Sequence, residues 1–321
     1  MQRRFLLAVS GLLLAGCSSP TGPAPIPPGV TCPANLTRES LDGRPVAVTY
    51  DAPQVSGGVA PVAVTCAPIS GAPFPVGATT VTCTAQDAAT NRSECSFRVS
   101  VTQPRLVATR FLAFGDSLTA GTTSAAPTIL LVNNADSYPF KLHRSLTSRY
   151  QSQIPEVLND GVGGEFASKP GFAGPSGLSR LPGSLDANRP EVLLLMEGTN
   201  DLLDLQPGAD AALDALEDMI RIAQGRSVRV MLATIPPQRA GGARHRDAVA
   251  AIIPSFNESI RQLASRERVP VVDVYNALKD RMDLIGVDDL HPTPQGYDVI
   301  AATFFEAIRA TLEEPRPTTI R

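Results

Sequence analysis

Tryptophan is absent from the 321 residues, and aromatic side chains make up only 5% of them. A dedicated stacking platform for sugars is therefore poorly supplied. No excess of basic charge exists either: the net charge is −3 and the pI is near 5.7, which argues against a nucleic-acid partner. No apolar run is long enough to cross a bilayer as a helix; the longest, Phe5 to Ala15, falls well short. Cysteine is missing from residue 96 onward, so whatever folds there must be stabilised by its core alone. No histidine lies among Cys32, Cys66, Cys83 and Cys95, which makes a metal site the weaker reading of that group. At 43% hydrophobic and 18% charged, the chain has the composition of a globular protein with room for about two domains.

The short apolar run near the start carries its own meaning. It follows Met1-Gln2-Arg3-Arg4 and ends in Leu14-Ala15-Gly16-Cys17, the layout of an export signal. Arg3-Arg4 lacks the spacer before Phe5 that a twin-arginine signal needs. The Leu-Ala-Gly-Cys end resembles a bacterial lipobox, which implies cleavage after residue 16 and lipidation of Cys17. Several acyl chains would hold the protein stably at a membrane, whereas one alone binds marginally. Ser18 follows in place of an inner-membrane retention aspartate, so the expected location is the outer membrane of a bacterial cell envelope. The remainder of residues 17–31 is rich in proline and reads as a semi-extended tether.

Residues 32–102 have a different grain. Short alternating runs such as 46–50, 79–83 and 97–101, separated by turn residues, predict a small antiparallel sandwich. Its four cysteines, an even number in an exported segment, read as a disulfide framework. Val64-Thr65-Cys66-Ala67-Pro68, Gly71 to Gly77, Val81 to Asp87 and Cys95-Ser96-Phe97 together resemble a hyalin-repeat (HYR) domain. That resemblance covers nearly the whole segment and implies an immunoglobulin-like fold serving as spacer or adhesive unit. We expect the pairs Cys32–Cys95 and Cys66–Cys83, although four cysteines allow three connectivities and sequence alone leaves them open.

From 105 to 315 apolar runs alternate with amphipathic stretches. Runs at 107–114, 155–158, 192–196, 228–234 and 271–274 predict five strands; the stretches near 136–152, 209–224, 244–267 and 293–313 predict helices. Strand-then-helix repetition implies one α/β domain of three layers around a parallel sheet.

Chemistry-bearing residues fall at the predicted strand ends. Gly115-Asp116-Ser117-Leu118 closes the first run, but Thr119 stands where the α/β-hydrolase elbow has its second glycine. Asn159-Asp160-Gly161-Val162-Gly163-Gly164 follows the second run, Gly198-Thr199-Asn200-Asp201 the third, and Asp288-Asp289-Leu290-His291-Pro292 the fifth. Taken singly, each suits a turn or a helix cap. His143 and His245, on polar helical stretches, read as surface residues. In this order the four blocks resemble the SGNH (GDSL) hydrolase family over residues 107–313. The resemblance implies a flavodoxin-like sheet of strand order 2-1-3-4-5 and no metal or cofactor. It implies Ser117 as nucleophile, His291 as general base and Asp288 as orienting acid, with Asp289 the less favoured neighbour. The backbone N–H of Ser117, Gly164 and Asn200 are implied as oxyanion donors.

The expected activity is hydrolysis of a carboxylic ester (lipid, acetylated glycan or other acyl ester) through an acyl-enzyme. The competing reading is a non-catalytic surface protein in which the HYR segment binds and the hydrolase fold is a scaffold. Glu197 is expected to contact substrate or pair with an arginine. Ile129-Leu130-Leu131-Val132 are expected in the core, or else in the wall of an acyl pocket.

Overall fold

The computed structural model describes residues 26–171 and 174–315, so the stretch expected to act as an export signal, with Cys17, lies outside the described residues. The chain divides into two compact units, here taken separately.

The first is all-β. Its strands are β1 (Gly29–Thr31), β2 (Leu36–Glu39), β3 (Val46–Ala47), β4 (Gln54–Ser56), β5 (Ala63–Ala67), β6 (Pro73–Phe74), β7 (Gly77–Gln86) and β8 (Arg92–Thr102). A four-stranded sheet of order β2-β8-β7-β5 is accompanied by the pairs β1-β4 and β3-β6. On β7 the buried residues Val81, Cys83 and Ala85 alternate with more accessible ones, the period-two pattern of a half-buried strand. Disulfides join Cys32 to Cys95 and Cys66 to Cys83, and the second links directly opposed residues of β5 and β7.

The second unit contains the parallel sheet. Its strands are β9 (Arg110–Gly115), β12 (Glu156–Gly161), β13 (Val192–Met196), β14 (Arg229–Ala233) and β15 (Val271–Val272), in the spatial order β12-β9-β13-β14-β15. Counted within this sheet alone, that is the order 2-1-3-4-5 expected for a flavodoxin-like fold. Asn159-Asp160-Gly161 belongs to the second strand and not to the loop after it.

Strand residues alternate between two cores because successive side chains point to opposite faces. Leu112, Phe114, Leu193, Leu195, Val230 and Leu232 pack toward α3 (Gly177–Asn188), α4 (Leu205–Gly225) and α5 (Asp247–Glu267). Phe111, Ala113, Val192, Leu194, Met196 and Met231 pack toward α2 (Tyr138–Arg149) and α7 (Pro294–Leu312). Both faces of β9, β13 and β14 are thus covered, which is why those strands are near-continuous apolar runs; the edge strand β12, Glu-Val-Leu-Asn-Asp-Gly, has no fully buried residue. On the α2–α7 side, Tyr138 stacks on Phe304 with ring centroids 4.7 Å apart.

Two elements depart from the sequence expectation. Helix α3 carries Pro182 and Gly183, residues that break a helical reading. It forms nonetheless because Ser176 caps its start by accepting the Ser179 N–H, and Leu181 and Leu185 bury against the sheet. Ile129–Val132 is not core but β11, paired in an antiparallel hairpin with β10 (Thr122–Ala126) and largely exposed. Among the described residues no helix is long and apolar enough to cross a membrane.

Candidate active site

The site gathers at the carboxyl edge of β9, β12 and β13, where strand order reverses and α/β sheets hold their ligands. β9 must end in glycine. A Cβ on Gly115 would lie 2.0 Å from the Met196 carbonyl oxygen and 2.5 Å from Thr119 Oγ1. That close approach lets the chain turn sharply into α1 (Ser117–Ala120). Asp116 caps this one-turn helix by accepting the Leu118 N–H at 2.8 Å, and Gly121 closes it at φ 90°. Ser117 is thereby held at the first helical position, with 7% of its surface exposed.

His291 and Asp288 come from one loop. His291 Nε2 lies 2.8 Å from Ser117 Oγ, and His291 Nδ1 lies 2.5 Å from Asp288 Oδ2. The other carboxylate oxygen, Oδ1, accepts the backbone N–H groups of His291 and Leu290 at 3.1 and 3.4 Å. This network assigns the tautomer: Nδ1–H donates to Asp288, leaving the Nε2 lone pair for the serine proton. Burial alone would raise Asp288, but the hydrogen bond and charge of His291 overcome it and bring its pKa down to about 2.

Asp289 has a different job. It sits at φ 65°, pairs with Arg239 at 2.9 Å and accepts the Arg244 N–H at 2.8 Å. Arg239 further donates to the carbonyls of Gly286, Met282 and Ile285, so one guanidinium clamps the base of the catalytic loop. His143 is half-buried on α2 and His245 is exposed.

The glycine-rich loop after β12 passes over the nucleophile. A Cβ on Gly163 would lie 4.0 Å from Ser117 Cβ. Gly164, at φ 78°, faces open space: nothing stands within 4 Å of where its side chain would be. Asn200 donates one N–H of its amide to the Glu165 carbonyl at 2.7 Å, which fixes the side chain and leaves the second N–H free for a ligand. Asp201 holds the same loop by accepting the Ala167 and Ser168 N–H groups at 2.8 and 3.1 Å. Among the described residues, no group of three or more His, Cys, Asp or Glu is arranged to hold a metal.

Behind this edge lies a set of buried acids that sequence reasoning largely missed. Asp116, Glu165, Glu197 and Asp201 are each at most 1% exposed. Arg180 serves Glu165 with two hydrogen bonds of 2.7 and 2.8 Å and pairs with Asp160 at 2.9 Å. Glu197 neither pairs with an arginine nor reaches a substrate, contrary to both sequence expectations: it is 1% exposed and neither carboxylate oxygen has a hydrogen-bond partner. Burial, reinforced by the charges of Asp116, Glu165 and Asp201, pushes its pKa well above the ordinary carboxylate value. Burial likewise raises Asp116 to about 7, against the pull of the Leu118 N–H. The signal for Glu197 was present, since a charge at the end of an all-apolar strand is unusual. Of its neighbours, Asp201 lies four residues on, but Asp116 and Glu165, 81 and 32 residues away in sequence, gave no such sign.

Known proteins bear on this geometry in two ways. The GDSL-like Lipase/Acylhydrolase family matches residues 113–299, and the HYR domain matches residues 25–101. Among solved structures, the lipase/acylhydrolase from Enterococcus faecalis is similar at 23% identity with a TM-score of 0.51, covering 65% of this chain and 98% of that one. The M. smegmatis aryl esterase is similar at 20% identity with a TM-score of 0.53, covering 63% and 99% respectively. A carbohydrate acetylesterase family member from Sinorhizobium meliloti stands at 18% identity and a TM-score of 0.51, covering 62% and 97%. At such identities the likeness is one of fold. No curated protein matches the chain. The family match, by contrast, spans more than half of the sequence and includes Ser117, Gly164, Asn200, Asp288 and His291, and on that ground the chain belongs to the GDSL-like lipase/acylhydrolase family of carboxylic ester hydrolases.

Proposed function

We propose that this chain cleaves a carboxylic ester through a Ser117 acyl-enzyme. The observation that carries the reading is the continuous relay from Ser117 Oγ to His291 Nε2 at 2.8 Å and from His291 Nδ1 to Asp288 Oδ2 at 2.5 Å. As Oγ attacks the ester carbonyl, its proton passes to Nε2 and the imidazolium is stabilised by Asp288, which stays ionised. The carbonyl oxygen becomes an oxyanion, met by the backbone N–H groups of Ser117 and Gly164 and by the free Asn200 N–H. Each such donor contributes roughly 3–4 kcal/mol in the transition state. The imidazolium then protonates the leaving alcohol. A water, activated by the same histidine, releases the acid and restores Ser117.

The substrate we propose is an acyl ester of an envelope molecule (lipid, acetylated glycan or other acyl ester), a class consistent with the aryl esterase, acetylesterase and lipase names of the similar structures. The protein is proposed to act in a bacterial cell envelope, anchored through Cys17, with the all-β unit as spacer. Turnover of p-nitrophenyl esters of rising chain length by wild type and by Ser117→Ala tests the chemistry. Wild-type rates in the variant would remove the mechanism. Fractionation of Cys17→Ala tests the anchor; unchanged membrane association would refute it.

A further inference from the structure

The hairpin formed by β10 and β11 is composed unlike the rest of the surface. From Thr122 to Val132 the sequence Thr-Thr-Ser-Ala-Ala-Pro-Thr-Ile-Leu-Leu-Val contains no charged residue. Ile129, Leu130, Leu131 and Val132 are 55, 47, 51 and 70% exposed. Single exposed aliphatics are ordinary, but four in succession on one short strand are a patch. Successive strand residues point to opposite faces, so β11 is apolar on both sides and open to solvent on both. A strand that walls a groove buries one face and turns polar residues outward. One that is apolar all round suits a medium that surrounds it.

The base of the hairpin is tied to the catalytic machinery. It leaves α1 at Gly121, four residues beyond Ser117. The Tyr297 hydroxyl donates to the Thr122 carbonyl at 2.7 Å, and Ser124 Oγ accepts the Asp288 N–H at 3.3 Å. Val287, beside Asp288, is itself 49% exposed. At the turn, Arg244 donates to the Pro127 carbonyl at 2.7 Å, and among the described residues its side chain has no ion pair. A cation therefore stands next to the apolar tip, the arrangement of a segment that lies in a lipid interface with its charge at the headgroups.

We infer that the Thr122–Val132 hairpin docks the enzyme on a lipid surface, burying Ile129, Leu130, Leu131 and Val132 among acyl chains with Arg244 against headgroup phosphate. The proposal rests on the ester-hydrolase reading for its consequence: the substrate is an ester presented at a lipid interface and not one free in solution. Because the hairpin braces the Asp288 loop and starts next to the nucleophile's helix, docking brings the interface to the site.

The test uses the full chain carrying Cys17→Ser, so that no acyl group at that residue contributes, with and without Leu130→Asp/Leu131→Asp. Flotation with phosphatidylcholine vesicles containing phosphatidylglycerol reads binding. Turnover of soluble p-nitrophenyl acetate and of a long-chain p-nitrophenyl ester in mixed micelles reads function. The substituted protein is expected to lose at least about tenfold in both vesicle binding and micellar turnover, while acetate turnover stays within about twofold. If the aspartates impair acetate turnover, the serine pair Leu130→Ser/Leu131→Ser takes their place, with the same direction expected. Vesicle binding and micellar turnover equal to the parent would overturn the proposal. So would a dimer in the parent that the substitutions dissolve, since the hairpin would then cover a second copy. Should the parent hydrolyse no soluble ester, the hydrolase reading fails, while flotation still decides the hairpin.

Discussion

Replacing Glu197 by glutamine removes one ionisable proton and keeps the side chain's shape. In the unfolded chain Glu197 and Asp116 lose their protons near 4.5 and 3.8, whereas in the folded protein Asp116 holds its proton to about 7 and Glu197 beyond the usual range. From about pH 5 upward, until Asp116 ionises near 7, the folded state therefore binds more protons at these two groups than the unfolded one. The stability these neutral acids supply is fully present below about pH 4 and is lost as pH rises. A whole proton contributes a slope of about 1.4 kcal/mol per pH unit, so the wild type should lose stability more steeply than Glu197→Gln, by up to that amount. For a unit of this size the difference corresponds to roughly 3–5 °C in Tm per pH unit. Asp288 does not interfere: its lowered pKa makes its contribution complete above about pH 4, and it is lost only as pH falls toward about 2. Thermal unfolding followed by circular dichroism at pH 5, 6 and 7 and constant ionic strength provides the measurement. Parallel Tm profiles for the two proteins would refute the reasoning, because Glu197 would then ionise as freely folded as unfolded.

Other substitutions probe the site directly. Asn200→Ala should lower kcat by roughly 10²–10³ with little change in KM, because its free N–H is needed most at the oxyanion; a pure KM effect in ester kinetics would contradict the assignment. Asp288→Asn should cost kcat on the order of 10⁴ by reversing the histidine tautomer that Nδ1–H donation now fixes, and steady-state rates near wild type would exclude the relay. Gly115→Ala should abolish activity and reduce stability, since its methyl would meet the Met196 carbonyl at 2.0 Å; an active variant with unchanged Tm would show that the turn can relax.

The sequence displayed the sheet because β9, β13 and β14 are buried on both faces and hence mostly apolar, and the relay because Ser117 follows β9 directly while Asp288 and His291 stand close together on the loop before α7. Helix α3 escaped because Pro182 and Gly183 oppose the local signal, and only packing of Leu181 and Leu185 against the sheet overrides it. The hairpin was misplaced for a related reason: Ile129 to Val132 look like core to any reading based on hydropathy, and only three-dimensional placement exposes them. The pocket of acids was hidden differently. Glu197 is adjacent to the Gly198-Thr199-Asn200-Asp201 block, but its environment is set as much by Asp116 and Glu165, contributed by other segments, as by Asp201.

The loop clamped by Arg239 has a consequence for how the site tolerates motion. Asp288 and His291 are three residues apart and share both a side-chain and a backbone hydrogen bond, so the acid–base pair is a local structure that travels as one piece. Ser117, 174 positions away in sequence, is joined to that piece directly by one hydrogen bond, with the longer Ser124–Asp288 contact as a second tie through the hairpin. Thermal breathing between β9 and the His291 loop therefore changes the distance from Oγ to Nε2 before it disturbs the His291–Asp288 pair, and the tautomer stays set. Activity should thus fade on warming before the histidine loses its partner, as a mechanism thrown out of gear and not one taken apart.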